Sequence, residues 1–500
     1  MGMLGYTRQA RNVQKRYAAA QVNRLTSKFA TTRRSSDAAI RPDLENLRSR
    51  ARVLAEDNDY ARQFLGLCVT NIIGPAGIRL QVRAADQDGR EDPAANKVIE
   101  QAWADWSRKD NASVSGQYSW EAIQRLVVRT VARDGEALIR IVRGYPDNPW
   151  RFSLQMLEGD HLNVNHNHLL PNGNEIRMGV EFNKWSKPVA YHINVKHPGD
   201  TTYYWNAKPV QRVPADEIIH LFVPDRFNQA RGVTWLHTAM LRLHNLEGYE
   251  QAELIAARIA ASKMGFYTKD SEGLPDGGMP GASTQDVDGT FIDEVEPGTF
   301  AKLPPGWGFD TFDPNHPNSA FAVFVKATLR GLSSGLGVSY NALANDLEGV
   351  NYSSLRSGAL QERDAWKILQ AWQADSFHQI VYEEWLKMAL LTGQVRLPLA
   401  KFDKWSRAAR WQPRGWDWVD PTKDIGATLD AINGGLKTRA QALAERGQDL
   451  DDVLAQLAAE EKKIKAAGLK FTTSAKPTPP QPPSSEDGQE DPEDAEKEDA

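Results

Sequence analysis

The stretch WLHTAMLRLHNLEGYEQAELIAARIAASKMGF, residues 235–266, decides the fold. Leu236, Ala239, Leu243, Leu246, Ile255 and Ile259 mark one apolar stripe, which predicts an amphipathic helix. About 27 residues of helix span roughly 40 Å at the usual rise. From about Thr268 to Pro317, Gly, Pro and Asp abound, so short strands are the most that can form there. Helical periodicity resumes at Phe321, Phe324, Val325, Thr328, Leu329 and Leu332. VSYNALANDLEGVNYSSLRSG (residues 338–358) mixes Asn, Gly and Ser and predicts a loop. A further long helix from about Leu355 to Leu391 then carries Trp366, Leu369, Trp372, Ile380 and Trp385.

Upstream, the pattern is mixed. Leu44, Leu47, Ala51, Leu54 and Ala55 predict helix between Pro42 and Ile73, ending at the Gly74-Pro75-Ala76-Gly77 breaker. GIRLQVRA (77–84) alternates as a strand does, Asn96–Trp106 and Ser119–Asp134 read as helices, and the latter runs into the strand EALIRIVRG (136–144). Phe152–Leu157, Arg177–Phe182, Pro188–Val195 and Ile218–Val223 read as strands. The expected class is therefore α+β. A last helical block, Ala427–Ala467, is broken at Gly434-Gly435 and Gly447.

Bulk composition bounds the function. A chain of 500 residues, 41% apolar with 15 Trp and 16 Phe, supplies more than one core, and 25% charged residues keep its surface wet. A net charge of -5 gives no general attraction to nucleic acid, so any DNA contact must be local or non-adhesive. The first 36 residues hold about eight Lys and Arg and no acid, whereas the Pro-rich, acidic stretch from Ser474 reads as disordered. Cys68 is the single cysteine, which excludes an internal disulfide and fits a reducing compartment. Neither a signal peptide nor a run of about 18 apolar residues is present in the sequence.

The sequence shows no GxxxxGKS or GxxxxGKT phosphate loop, no HExxH, no GxSxG nucleophile elbow after a strand and no GxGxxG opening a helix. Asp160, His161, His166 and His168 in GDHLNVNHNHLLPNG (159–173) are the nearest thing to a metal cluster, but alternate His and Asn suit a solvent-facing hairpin better. Asp225, Asp346, Glu348 and Asp420 show no spacing signal for acid-base or cation chemistry and read as caps and surface charges. Cys68, beside Phe64, Leu65 and Leu67, reads as a buried hydrophobe. Trp405, Trp411, Trp416 and Trp418 read as interface packing before a base-stacking platform.

Several segments, in order, resemble the lambda-type portal proteins of tailed bacteriophages. They are RSRARVLAEDNDYARQF (48–64) with NIIGPAGI (71–78), LEGDHL (157–162) with EFNKWSKPVAYHI (181–193), and IIHLFVPDRFNQARGVTWLHTAM (218–240) with YEQAELIAARIAA (249–261). Residues 314–358 and WDWVDPTKDIGATLDAINGGLKTRAQALAERGQDLDDVLAQLAAEE (416–461) complete the set. NYSSLRSG (351–358) and VPDRFNQARGVTWL (223–236) are the most specific; the basic arm departs from the family's opening pattern.

The resemblance implies a portal-type fold: a mixed wing domain, a helical stem, a small strand-containing clip, a long helix and a helical crown. On this chain it implies a basic arm at 1–41, a wing-like domain at 42–225, a stem helix at 226–267, a clip at 268–317 and a second stem helix at 318–340. A tunnel loop at 341–354, the long helix and wing return at 355–426, crown helices at 427–470 and a disordered acidic tail at 471–500 follow. It implies a ring, typically of about twelve copies, at a capsid vertex of the virion, assembled in the host bacterial cytoplasm, for DNA packaging and ejection. Implied partners are the chain itself, the terminase large subunit, the major capsid protein and scaffold, head-completion or tail adaptor proteins, and double-stranded DNA passing through, with no cofactor and no membrane. Asn345, Asp346, Glu348 and Asn351, flanked by Lys326, Arg330 and Arg356, would form a weakly charged channel rim, since retained Lys–phosphate contacts add friction. The rival classes are a DNA-processing or capsid-maturation enzyme, which predicts a tight carboxylate or Ser site, and a monomeric adaptor, which predicts a basic face and no large self-interface.

Overall fold

The computed structural model describes residues 32–469 except 87, 201–209, 263–264, 270–283, 286–290, 293–306, 312–319, 350 and 417–420, together with residues 24 and 27. Most of the basic arm, much of the clip, the acidic tail, Trp418 and Asp420 lie outside the described residues. The chain divides into Met1–Val419 and Asp420–Ala500.

Helix starts follow side-chain chemistry. After α1 (Ser36–Ile40) and α2 (Leu44–Asp57), Asn58 accepts the Ala61 amide and opens α3 (Asp59–Ile72). β1 (Arg79–Val82) precedes α4 (Pro93–Trp106), which Asp92 caps and Pro93 begins, and the short α5 (Lys109–Ala112). Ser119 caps α6 (Trp120–Asp134), and Gly135, at φ +93, stops it in the left-handed region. A Cβ at Gly135 would stand 2.4 Å from the Val233 carbonyl carbon, so this turn must be glycine.

Two antiparallel sheets follow. β2 (Ala137–Arg143) lies between β3 (Phe152–Leu157) and β9 (Ile218–Leu221). The second sheet runs in order through β4 (His168–Leu169), β5 (Glu175–Arg177), β6 (Val180–Phe182), β7 (Pro188–Asn194) and β8 (Val210–Pro214). The expected single strand Arg177–Phe182 is instead a hairpin. Met178 and Gly179 both take positive φ, at 48° and 86°, and fold β5 back onto β6.

The long helix α7 (Met240–Ser262) begins later than its stripe. Thr234 and Trp235 both donate to the Ala132 carbonyl at the end of α6, which holds residues 235–239 in turns, although Leu236 and Ala239 still point into the core. β10 (Gly265–Lys269), β11 (Thr284–Gln285), β12 (Phe291–Ile292) and β13 (Trp307–Thr311) lie in the Gly/Pro-rich stretch, β10 pairing with β13 and β11 with β12. α8 (Phe321–Leu336) follows.

The loop expected at 341–354 is partly helix. Ser339 accepts the Ala342 amide and caps α9 (Tyr340–Ala344), while α10 (Tyr352–Gln373) starts ahead of its expected position. Only residues 345–351 remain between the two helices. α10 continues through a π-turn (Ala374–His378) into α11 (Gln379–Leu391), and His378 Nδ1 meets the Gln373 carbonyl at 3.0 Å within that turn. α12 (Phe402–Ser406) leads to β14 (Ala409–Gln412), which pairs antiparallel with β1. The second unit holds α13 (Pro421–Asn433), α14 (Arg439–Ala444) and α15 (Leu450–Ala466), interrupted at the glycines the sequence marks.

Among the described residues, three buried clusters hold the first unit. One packs Trp103, Trp106, Trp120, Trp150, Phe377 and Trp385 between α4, α6, α11 and the three-stranded sheet. A second joins α2, α3 and α6 to the start of α7, the end of α8 and α10, and includes Cys68, whose thiol burial pushes far up in pKa. The third lies under the five-stranded sheet. Trp405 is 1% exposed in the first cluster and Trp411 packs against two of them, so these rings serve the core and offer no stacking platform.

Candidate functional site

The segment between α8 and α10 is built on a tyrosine that the sequence did not single out. Tyr340 opens α9 and donates its hydroxyl to Asp346 Oδ2 at 2.6 Å, while Lys326 Nζ from α8 stands 3.2 Å from the same oxygen. The other oxygen, Oδ1, accepts the Glu348 amide at 2.8 Å and closes the turn. Asn345 takes φ 52 and ends α9. Lys326 and Arg330 are four residues apart on α8, with their charged groups 5.8 and 5.6 Å from the centre of the Tyr340 ring. The Tyr340 hydroxyl, the Glu348 amide and Lys326 hold the Asp346 carboxyl down to about 2, and desolvation followed by Asp346 pushes Tyr340 up to about 12.

Four of the seven expected residues therefore gather at the Tyr340–Asp346 pair: Lys326 and Arg330 beside the ring, Asp346 on its hydroxyl and Glu348 through its amide, while Asn345 ends α9. Asn351 closes the segment, exposed, and Arg356 lies half-buried in the first turns of α10. Gln63 of α3 donates to the Ala342 carbonyl at 3.0 Å, and Glu362 of α10 accepts the Ser339 amide at 3.3 Å, so α9 is tied to both neighbouring helices. Tyr340 carries no sequence signal, because its role depends on α8 and α9 folding back on each other.

Asp160, His161, His166 and His168, which read as a hairpin before a metal site, are not brought together. His161 Nδ1 meets the Asn194 carbonyl, the His166 ring lies 5.0 Å from that of His192, and His168 is exposed on β4. Among the described residues, Glu158, Asp160 and His197 are the one grouping with metal-like spacing. A cation already sits there: Arg52 Nη2 lies 2.6 Å from Asp160 Oδ2 and 3.1 Å from Glu158 Oε2, and Arg48 Nη1 takes Asp160 Oδ1 at 2.8 Å. Asp225 is not gathered with Asp346 and Glu348 into any such grouping, and its amide donates instead to Gln229.

Beside that cluster lies a buried ionic knot. Glu136, just ahead of β2, is fully buried and accepts from Arg231 Nε at 2.9 Å, Arg48 Nη2 at 2.6 Å, His220 Nε2 at 3.0 Å and the Gly232 amide at 3.0 Å. Arg231, also fully buried, donates further to the carbonyls of Gly159, Leu162 and Met178 at 2.7, 3.2 and 2.8 Å. Burial opposes the Glu136 charge, but Arg231, His220 and Arg48 outweigh it and hold the carboxyl well below its ordinary range. Burial also lowers His220, against the pull of Glu136. The knot fastens the chain leading into α7 onto α2, β2 and β9, and so fixes where the long helix leaves the sheet.

No helix among the described residues is long and apolar enough to cross a membrane. The family described as phage portal protein, lambda family, matches residues 22–370. A probable portal protein of Halomonas phage phiHAP-1 is 39% identical over 452 residues, covering 90% of this chain and 87% of that protein. Portal protein B of Escherichia phage lambda is 25% identical over 472 residues, covering 87% of each. Among solved structures, the neck of an empty gene transfer agent particle aligns at TM-score 0.42 and 15% identity, covering 86% of this chain and 94% of that one.

Proposed function

The chain belongs to the lambda family of phage portal proteins, a structural component of the virion and not an enzyme, and from that premise we propose that it forms a ring of about twelve copies through which DNA is packaged and ejected. The observation that carries this reading is the family match over residues 22–370, which takes in the three-stranded sheet, α7, α8 and the Tyr340–Asp346 turn. Exposed apolar side chains on α7 (Leu241, Leu254, Ile255) and on α8 (Val323, Phe324) support it, since a lone subunit leaves them in water and neighbours in a ring would cover them.

In this reading residues 226–267 and 318–340 are the stem, and 268–317 the clip that docks the terminase large subunit and later the head-completion or tail adaptor proteins. Residues 42–225 and 355–426 form the wing toward the major capsid protein and scaffold, and 427–470 the crown. The segment 345–351 lines the channel, with Lys326, Arg330 and Arg356 behind it. Asp346 supports that role chemically: bound to Lys326, it withholds one cation from the phosphates and lets DNA slide. Assembly takes place in the host cytoplasm. Heads assembled without this chain should stay empty of DNA and fill when it is supplied during assembly; heads that fill normally without it would overturn the proposal.

A further inference from the structure

Phe227 is 98% exposed, yet it stands on a loop that is firmly built. Gln229, itself buried, accepts the amides of Asp225 and Arg226 at 3.0 and 3.3 Å and donates to the Arg231 carbonyl at 2.8 Å. Asp37 accepts the Ala230 amide at 2.8 Å and pairs with Arg177 at 2.7 Å, and Arg177 reaches the Asn228 carbonyl at 3.3 Å. Asn228 takes φ 58, a left-handed turn that follows Phe227 directly. A loop held from both sides to present a phenyl ring to water has already met the ordering cost of a contact.

The same chain carries a cleft suited to that ring. Between α6 and β3 a hollow of about 560 Å³ is lined by Tyr118, Leu126, Val127, Leu154 and Met156, with Arg133 and Glu158 at its edge. Arg133 and Glu158 at the rim are already engaged, with Asp134 and Arg52, so what the cleft offers the ring is its apolar lining. Topology separates the two: the strand order is β3-β2-β9, the cleft lies over β3 and the start of β2, and the loop leaves from β9, on the other side of β2. Two different, complementary surfaces so separated give a head-to-tail contact, the kind that closes into rings.

We infer that Phe227 of one copy seats in the α6–β3 cleft of the next copy and is the wing-level anchor between neighbours in the ring. The inference rests on the ring reading above. The test uses the full chain. Phe227→Ala should leave the circular dichroism of the dilute subunit unchanged, because the side chain packs on nothing within it, and should raise the half-assembly concentration about thirtyfold, as loss of an interface anchor does. Leu126→Arg in the cleft should match it. Phe227→Cys combined with Leu126→Cys should, on oxidation, give a ladder of covalent multimers; buried Cys68 should not take part. Rings that form at wild-type concentration with Phe227→Ala, or a cysteine pair that gives no ladder within intact rings, would overturn this contact and leave the ring standing. A wild-type chain that forms no ring would overturn both.

Discussion

Replacing Glu136 with alanine should cost the first unit about 4 kcal/mol, because it leaves two buried guanidiniums facing a hole where their carboxylate stood. The figure follows from the geometry. Arg231 and Arg48 are 0% and 2% exposed, so water cannot replace the lost partner. Arg231 keeps three carbonyl acceptors and Arg48 keeps Asp160, which holds the cost within the range of one broken buried pair instead of two. For a unit of roughly 400 residues unfolding as one block, this corresponds to a fall in Tm of about 5 °C. Calorimetry on the purified chain reads it directly. Adding Arg231→Met should cost less than the sum of the two single changes, with a coupling above about 1 kcal/mol. The pH dependence has a definite sign: Glu136 is held below its unfolded pKa, so its contribution is present above that value and is lost as pH falls through the folded one. A Tm change under about 1 °C, or strict additivity of the two substitutions, would refute the reasoning.

His378 is buried and held down to about 4, so the neutral ring stabilises the fold above the unfolded pKa near 6.5, and about 3 kcal/mol should be lost between pH 7 and pH 4. Denaturant titrations of wild type and His378→Phe at both pH values check this, the variant being flatter. Gly135→Ala should destabilise by about 3 kcal/mol, since a Cβ there meets the backbone of Val233 and Thr234 at 2.4 and 2.6 Å and the backbone is left-handed; thermal unfolding measures it. Asp346→Asn should leave Tm unchanged and speed chymotryptic cleavage after Leu347, because the turn loses its charged hold on Lys326 and weakens that on Tyr340.

Elements with a strong period were legible from the sequence. Ser119 ahead of α6, the strand at Phe152–Leu157 and the buried Leu243 and Leu246 follow from local chemistry that tertiary contacts only reinforce. What the period hides is long-range. β1 looks like a strand but shows nothing of its partner β14, and Gln81 meets Gln412 at 3.0 Å across a separation of 331 residues. Arg48, Glu136 and Arg231 carry no joint signal in the sequence because each lies in a different segment, and only the fold brings them together in the interior. The loop was expected to be longer than it is because Asn, Gly and Ser dominate its composition, while Ser339 acts as a cap and converts Tyr340–Ala344 into helix. Around Asp346, the charges of the site were readable and the tyrosine that organises them was not.

Whether this chain is a ring subunit is decided by native mass spectrometry with negative-stain imaging of the purified protein, which should show a closed ring of about a dozen subunits with a central hole. A stable monomer, or a two-fold dimer with no channel, at concentrations where relatives of this family assemble would contradict the ring.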